Sequence, residues 1–155
     1  MTFSTSKLSF DRTIATSPAR LFHLMTDARS REVWGGPNDE TVLTMEVEDL
    51  REGGQERHRC GPAEAPEFII ETGWYRIVEP SAACFTETLL VGGQRIFTSL
   101  VTYTLTAVEA GTHLSVDVAV TGFVEGEDMS GEIEEGWTSA FGKLEALATK
   151  ATESA

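Results

Sequence analysis

Hydrophobic and polar positions alternate with a period of two along most of residues 42–120. This period is typical of β-strands that bury one face, because successive side chains point to opposite sides of a sheet. The alternation is clearest over residues 95–107, where Phe97, Val101 and Tyr103 share one face and threonines occupy the other. We predict seven strands, at residues 7–15, 42–48, 55–60, 67–78, 83–91, 95–107 and 114–120.

Glycine and proline residues separate these strands. Gly92-Gly93 suits a two-residue hairpin turn. Gly73 lies inside a predicted strand, where a glycine often marks a bulge or sharp bend. Because short turns join successive strands, we expect an antiparallel sheet. The other turn signals are Gly53-Gly54, Pro80-Ser81, Ala110-Gly111 and a Pro-rich acidic loop at residues 61–67.

Two short helices are predicted between the first two strands. Ser17 can cap the free amides at the start of a helix, and Pro18 is tolerated at the first helical position. Asp27 can cap a second helix that runs through Trp34 and stops at the turn of residues 35–37, since proline cannot continue a helix. The first helix has an apolar stripe of Leu21, Phe22 and Met25.

A long helix is predicted at the C-terminus, capped by Asp128 or Ser130. Acidic residues crowd its start, where they complement the positive end of the helix dipole. The sheet has one apolar face that needs a cover, and this helix is the large apolar element left to supply it. A curved sheet around the helix is therefore predicted. The apolar face of the helix comprises Ile133, Trp137, Ala140, Phe141, Leu144, Leu147, Ala148 and Ala151.

Composition narrows the range of partners. The chain has 155 residues, the usual size of one domain, and a formal net charge of −13. That charge argues against nucleic acid and against anionic membrane surfaces, which attract basic proteins. The sequence also has no apolar run of signal-peptide or transmembrane length, and Cys60 and Cys84 form no metal or redox motif. We therefore expect a cytoplasmic protein with free thiols and no cofactor.

Several short motifs follow one another in a fixed order. They are Pro18, Thr26-Asp27, Trp34, Gly36-Pro37, Gly53-Gly54, Gly73, Pro80, Phe85-Thr86, Gly136-Trp137, Leu144 and Leu147. This ordered set resembles the helix-grip fold of the START and Bet v 1 superfamily. More narrowly, it resembles the group named after the C-terminal domain of the heat-shock-protein-90 ATPase activator, and the resemblance covers nearly the whole chain.

The resemblance implies an α+β fold with a curved antiparallel sheet around a long C-terminal helix and two short helices after strand 1. It also implies a single START/Bet v 1-like domain over residues 1–155. Most bacterial members of this group have no assigned reaction, and many are thought to bind apolar small molecules between sheet and helix. Many carry a second aromatic residue where this chain has Gly35, so we expect a wider pocket entrance here.

Large hydrophobic residues are the candidates for lining such a pocket, since small-molecule sites are mostly apolar. The same residues could instead fill the core, and Trp34 could be a pocket lid or a core plug. The candidate ligand-binding residues are Trp34, Met45, Trp74, Tyr75, Phe85, Phe97, Tyr103, Trp137 and Phe141.

Two carboxylates are the candidates for acid–base chemistry. Glu87 shares a strand face with apolar residues, which would raise its pKa. Glu71 shares a face with Tyr75 if the register runs unbroken through Gly73, and otherwise it points to solvent. His58 and Cys60 share a strand face, but a metal site needs three or four ligands, so we predict no metal.

Three functions remain open from the sequence. A binding protein for an apolar or aromatic small molecule is favoured over an enzyme, because no persuasive catalytic constellation is present. The enzymatic alternative is a polyketide cyclase or hydrolase that uses Glu87 or Glu71. A co-chaperone-like activator of a heat-shock ATPase ranks last, since the chain has the equivalent of one domain. An exposed sheet edge leaves a homodimer open.

Overall fold

The computed structural model describes residues 1–62, 64 and 67–153, with side chains through residue 150. The element order confirms the predicted one. The strands are β1 (Ser4–Ile14), β2 (Thr41–Val47), β3 (Gln55–Pro62), β4 (Phe68–Val78), β5 (Ala82–Val91), β6 (Gln94–Val108) and β7 (Gly111–Gly122). The helices are α1 (Pro18–Thr26), α2 (Ala28–Trp34) and α3 (Ser130–Glu153).

The strands form one curved antiparallel sheet in the order β1-β7-β6-β5-β4-β3-β2. Consecutive strands from β2 to β7 are neighbours, as the short turns predict, and β1 returns to pair with β7. This arrangement with α3 is the α+β helix-grip fold. The predicted loop at residues 61–67 begins later than expected, because Gly61 and Pro62 extend β3. Part of that loop, and the last two residues of the chain, lie outside the described residues.

Local signals in the sequence explain the helix ends. The Ser17 hydroxyl accepts a hydrogen bond from the Arg20 amide at 3.2 Å. The Asp27 carboxylate accepts one from the Ser30 amide at 3.0 Å, which also holds the pKa of Asp27 below its usual value. Both caps satisfy amides that have no partner within their helix. They therefore define where α1 and α2 begin.

The core lies between the inner face of the sheet and α3. Phe141 and Leu144 of α3 are fully buried, and the Phe141 ring meets Phe10 of β1 with centroids 5.2 Å apart. Val101 and Val116, on β6 and β7, are fully buried as well. The core therefore fills the β1–β7–β6 half of the sheet, with α3 against β1 and α1 against β6 and β7. On the other half of the sheet, this core does not fill the space between the strands and α3.

The bulge predicted at Gly73 lies slightly further along β4. The register against β5 shifts between Trp74 and Arg76, while Gly73 itself pairs regularly with Thr86. Trp74 points inward, and Tyr75 becomes the extra residue and lies 65% exposed on the outside. A Cβ on Gly73 would lie 3.0 Å from the Thr86 hydroxyl, so the glycine allows a close side-chain approach.

Candidate functional site

A cavity of about 300 Å³ lies between the inner face of β3–β6 and the helices α2 and α3. It lies on the half of the sheet where the core leaves space under α3. Most of its wall is apolar, as is usual for pockets that take small organic molecules. The apolar wall comprises Trp34, Leu43, Phe68, Ile70, Phe85, Leu89, Phe97, Met129, Ile133, Trp137 and Ala140.

The structure brings six of the sequence candidates together at this cavity. Five of them are aromatic, and the sixth is the carboxylate of Glu87 on β5. They come from α2, from β5 and β6, and from α3, so the sheet and both helices contribute. The aromatic candidates at the cavity are Trp34, Phe85, Phe97, Tyr103 and Trp137.

Four of the candidate ligand-binding residues lie elsewhere. Tyr75 is on the outer face of β4, opposite to Trp74, because successive strand residues point to opposite faces. Trp74 is buried behind the wall, where its ring packs on Phe85 at 4.7 Å between centroids. Phe141 packs in the core against Phe10, and Met45 is buried on β2. Trp74, Phe141 and Met45 therefore fill or flank the core, and Tyr75 faces solvent.

Trp34 is a fixed part of the wall. Its ring lines the cavity, and its indole Nε1 donates a 2.7 Å hydrogen bond to the carbonyl of Leu24. The side chain is only 3% exposed. A Cβ on the neighbouring Gly35 would lie 2.6 Å from the Arg31 carbonyl oxygen and 2.7 Å from Leu43, so no larger residue fits there unchanged. Trp34 thus lines the cavity and is anchored at the same time, as expected of a fixed part of the wall.

A buried ionic cluster forms one end of the cavity wall. Arg31 of α2 donates to the Glu56 carboxylate at 2.9 Å and to the Thr26 carbonyl at 3.1 Å. The same carboxylate accepts from the indole of Trp74 at 2.7 Å and from the amide of Asp49 at 3.0 Å. We call Arg31, Glu56 and their hydrogen-bond partners the Arg31 cluster. Its two opposite charges offset each other inside the protein.

His58 joins this cluster as a neutral imidazole. Its Nε2 lies 3.2 Å from the Arg31 guanidinium, which can only donate, so Nε2 accepts and Nδ1 carries the hydrogen. Burial, reinforced by the Arg31 charge, lowers the pKa of His58 from 6.5 to about 4. Among the described residues, Nδ1 has no hydrogen-bond partner, and no group of three or more metal-ligating side chains is present.

A row of polar residues crosses the inner face of the sheet. The strand pairing places Glu56 opposite Thr72, Thr72 opposite Glu87, and Glu87 opposite Ser99. Glu87 and Ser99 line the cavity, while Glu56 and Thr72 lie behind the wall. We call these four residues the polar row. It is the feature that distinguishes this cavity from a purely apolar one.

Glu87 is the unusual member of the polar row. Burial raises the pKa of its carboxyl above the ordinary value, and the Arg31 charge only partly opposes the change. Within the described part of the chain, no hydrogen bond or ion pair engages this carboxylate. Glu87 also affects two neighbours on the wall. Burial, and secondly the Glu87 charge, raise the pKa of Cys60 to about 11. The same two causes raise the pKa of Tyr103.

Glu71, the second carboxylate candidate, points away from the cavity. It lies on the outer face of β4, 3.5 Å from the Arg95 guanidinium, and both side chains are substantially exposed. The register runs unbroken through Gly73, so Glu71 and Tyr75 do share a face, but that face is the solvent side. Glu71 has no geometry for acting on a molecule in the cavity.

Arg31 and Ser99 are wall residues that the sequence pattern does not predict. Arginine is rarely buried, so nothing in the local pattern pointed to Arg31. His58 and Cys60 were correctly placed on one face, but the hydrogen-bond partner of His58 comes from α2. That contact depends on how α2 crosses the sheet, which residue spacing does not encode.

Comparison with known families identifies the fold group. The family described as Activator of Hsp90 ATPase homolog 1-like protein matches residues 15–149, which is most of the chain. The chain belongs to this family. The Activator of Hsp90 ATPase homolog 1-like match confirms the resemblance seen in the ordered motifs, and it spans every element from α1 into α3.

Solved structures of similar proteins agree with this membership. The Mll3558 protein from Rhizobium loti is 27% identical, with a TM-score of 0.81 over 94% of this chain and 99% of that one. An uncharacterized protein from Rhizobium leguminosarum is 20% identical, with a TM-score of 0.83 over 96% and 97%. The AHSA1 protein from Silicibacter pomeroyi is 24% identical, with a TM-score of 0.75 over 94% and 99%. The last two show the fold alone.

No curated protein matches the chain. Over the described residues, none of the helices has the length and apolarity needed to cross a membrane. Family membership therefore establishes the fold, and the chemistry of the cavity has to carry any argument about function.

Proposed function

We propose that the protein binds a small, largely apolar molecule in the cavity between the sheet and α3. The observation that carries this proposal is the cavity itself, about 300 Å³ within an apolar and aromatic wall that includes a few polar groups. Ordinary core packing leaves few voids larger than a water molecule. A space of this size reaches the lower end of the range for small-molecule pockets, about 300–1,000 Å³.

We further propose that residues 1–155 act as one domain and that the protein works in the cytoplasm. Both cysteines, Cys60 and Cys84, are free thiols. Free thiols persist in the reducing environment of the cytoplasm. The described residues that line the cavity all come from this one unit, namely from the sheet, from α2 and α3, and from the loops beside the helices.

Ala140→Leu is expected to weaken binding of the neutral fluorescent probe N-phenyl-1-naphthylamine by about tenfold or more. Ala140 lines the cavity from α3 and is almost fully buried. A leucine there occupies space the probe needs, and overpacking typically costs about 1–3 kcal/mol. Fluorescence titration measures the effect. Ala146→Leu, at an exposed site on the same helix, is the matched control and should bind like the unmodified protein. No probe binding by the unmodified protein would contradict the proposal.

An enzyme that uses Glu87 is the second candidate. It is favoured by the convergence of Glu87, Ser99 and Tyr103 on one cavity, since a carboxyl that faces a mostly apolar cavity and has a raised pKa suits acid–base chemistry. The expected result is slow turnover of a small aryl ester by the unmodified protein, followed by absorbance. Glu87→Gln should abolish this turnover while probe binding is retained. Equal turnover by both proteins would exclude Glu87 as the acid or base.

A further inference from the structure

The charges around the cavity do not cancel. The positive charge of Arg31 is paired with Glu56 at 2.9 Å, and His58 is neutral. These three side chains therefore carry no net charge that could offset Glu87. Lys143 of α3 does not line the cavity and donates to the carbonyl oxygens of Gly36 and Asn38 at 2.6 and 3.2 Å. Glu87 remains as a carboxylate that faces the cavity with no cation of its own among the described residues.

The other groups that face Glu87 do not supply a positive charge. Ser99 lies opposite it on β6, and Tyr103 lies on the same strand. Cys60 lies across the cavity on β3 as a protonated thiol, because burial raises its pKa to about 11. From α3, Glu132 lines the mouth and adds a further negative charge. An ionised Glu87 in the empty cavity is therefore unfavourable.

Aromatic rings surround the space in front of this carboxylate. Phe85 and Tyr103 pack edge to face with centroids 5.0 Å apart, and Phe97 and Trp137 complete the aromatic wall. Ring faces attract cations, and the attraction is greater where water is excluded. The net charge of −13 also raises the local concentration of cations over anions near the protein.

We propose that the ligand is a protonated organic amine carried on an apolar or aromatic body, with Glu87 as its counter-ion. This inference rests on the proposed function and adds the class of ligand. The ammonium group would donate to the Glu87 carboxylate, and the body would lie against the aromatic and aliphatic wall. Such a ligand supplies the one charge that the site lacks, and charge-assisted hydrogen bonds are about twice as strong as neutral ones.

The proposal has a distinctive dependence on pH. In the empty cavity the Glu87 carboxyl holds its proton to a higher pH than usual, because burial raises its pKa. An amine binds the ionised form, so binding releases this proton. Amine affinity should then fall as the pH drops below the pKa of Glu87 in the free protein, by up to about tenfold per pH unit. The affinity of a neutral ligand should not follow this profile.

Displacement of bound N-phenyl-1-naphthylamine tests the class of ligand. The competitors are 4-phenylbutylamine, 4-phenylbutan-1-ol and 4-phenylbutyrate, which share one body and differ in charge. We expect the amine to bind about tenfold more tightly than the alcohol, and the anion to bind most weakly. Glu87→Gln should remove the preference for the amine. Glu71→Gln, which neutralises a carboxylate on the outer face of the neighbouring strand, should leave it intact.

The outcomes distinguish failure of the amine proposal from failure of the proposed binding function. If the probe binds and the alcohol or the anion competes as well as the amine, the cavity binds ligands but the amine class is wrong. A preference for the amine that survives in Glu87→Gln also overturns the role of Glu87. If the probe does not bind at all, both the proposed function and this inference are wrong. The pH series on the unmodified protein decides the role of Glu87 without any substitution.

Discussion

Replacing Arg31 with alanine is expected to lower the free energy of unfolding by about 3–5 kcal/mol, as found when one partner of a buried ion pair is removed. The guanidinium is almost fully buried and lies 2.9 Å from Glu56. Without it, Glu56 becomes a buried anion that keeps only the hydrogen bonds from Trp74 and from the Asp49 amide. His58 Nε2 loses its donor in the same step. Urea-induced unfolding of the two proteins measures the difference.

Two further variants test whether the loss of stability comes from the buried ion pair. Arg29→Ala removes an exposed arginine that pairs with Glu32 and Glu48 on the surface, and it should destabilise the protein far less than Arg31→Ala does. Arg31→Met combined with Glu56→Gln removes both buried charges and should recover much of the lost stability, since neutral groups need no counter-ion. A loss from Arg31→Ala no larger than that from Arg29→Ala would contradict the role assigned to the Arg31 cluster.

The fold was predictable because its signals are local. Ser17 and Asp27 each bind the backbone amide three residues further on, so a short stretch of sequence contains the whole cap. Gly92 and Gly93 adopt the positive φ angles, 59° and 80°, that a two-residue hairpin turn requires. The alternating strands then had one apolar face each, and α3 was the element able to cover it.

The candidate site was only partly predictable, because it depends on contacts between distant segments. The polar row forms when Glu56, Thr72, Glu87 and Ser99, from four strands, come into line. Each residue taken alone looks like an ordinary polar position in an alternating strand. Their alignment follows from the register, and the register depends on bulges whose exact location is not encoded by a glycine alone.

Arg76 shows how much one such irregularity changes. Strict alternation would place it on the inner face with Trp74, two residues earlier. The shift of the β4–β5 register between Trp74 and Arg76 instead leaves its side chain 70% exposed. Arg31 shows the opposite case, since a charged residue that would ordinarily be exposed is held inside by Glu56. In both cases contacts between segments, and not the local pattern, decide where the side chain lies.

The Arg31 cluster should also make the protein sensitive to acid through His58. The unfolded chain protonates His58 as the pH falls through about 6.5, whereas in the folded protein the pKa is about 4. The unfolded state therefore binds more protons between these values, and stability is lost as the pH falls. The difference in pKa corresponds to a loss of about 3 kcal/mol by pH 4. Unfolding by urea across this pH range measures the slope.

His58→Gln should flatten that slope, because a glutamine amide oxygen can accept from Arg31 and does not titrate. His23→Gln, at an exposed site on α1, is the control for loss of an imidazole, and it should alter the slope less than His58→Gln does. Glu87 acts in the opposite direction, because its raised pKa lets the folded protein take up a proton first as the pH falls. Comparing each variant with the unmodified protein at every pH cancels that contribution. An unchanged slope in His58→Gln would show that the imidazole does not remain neutral against Arg31.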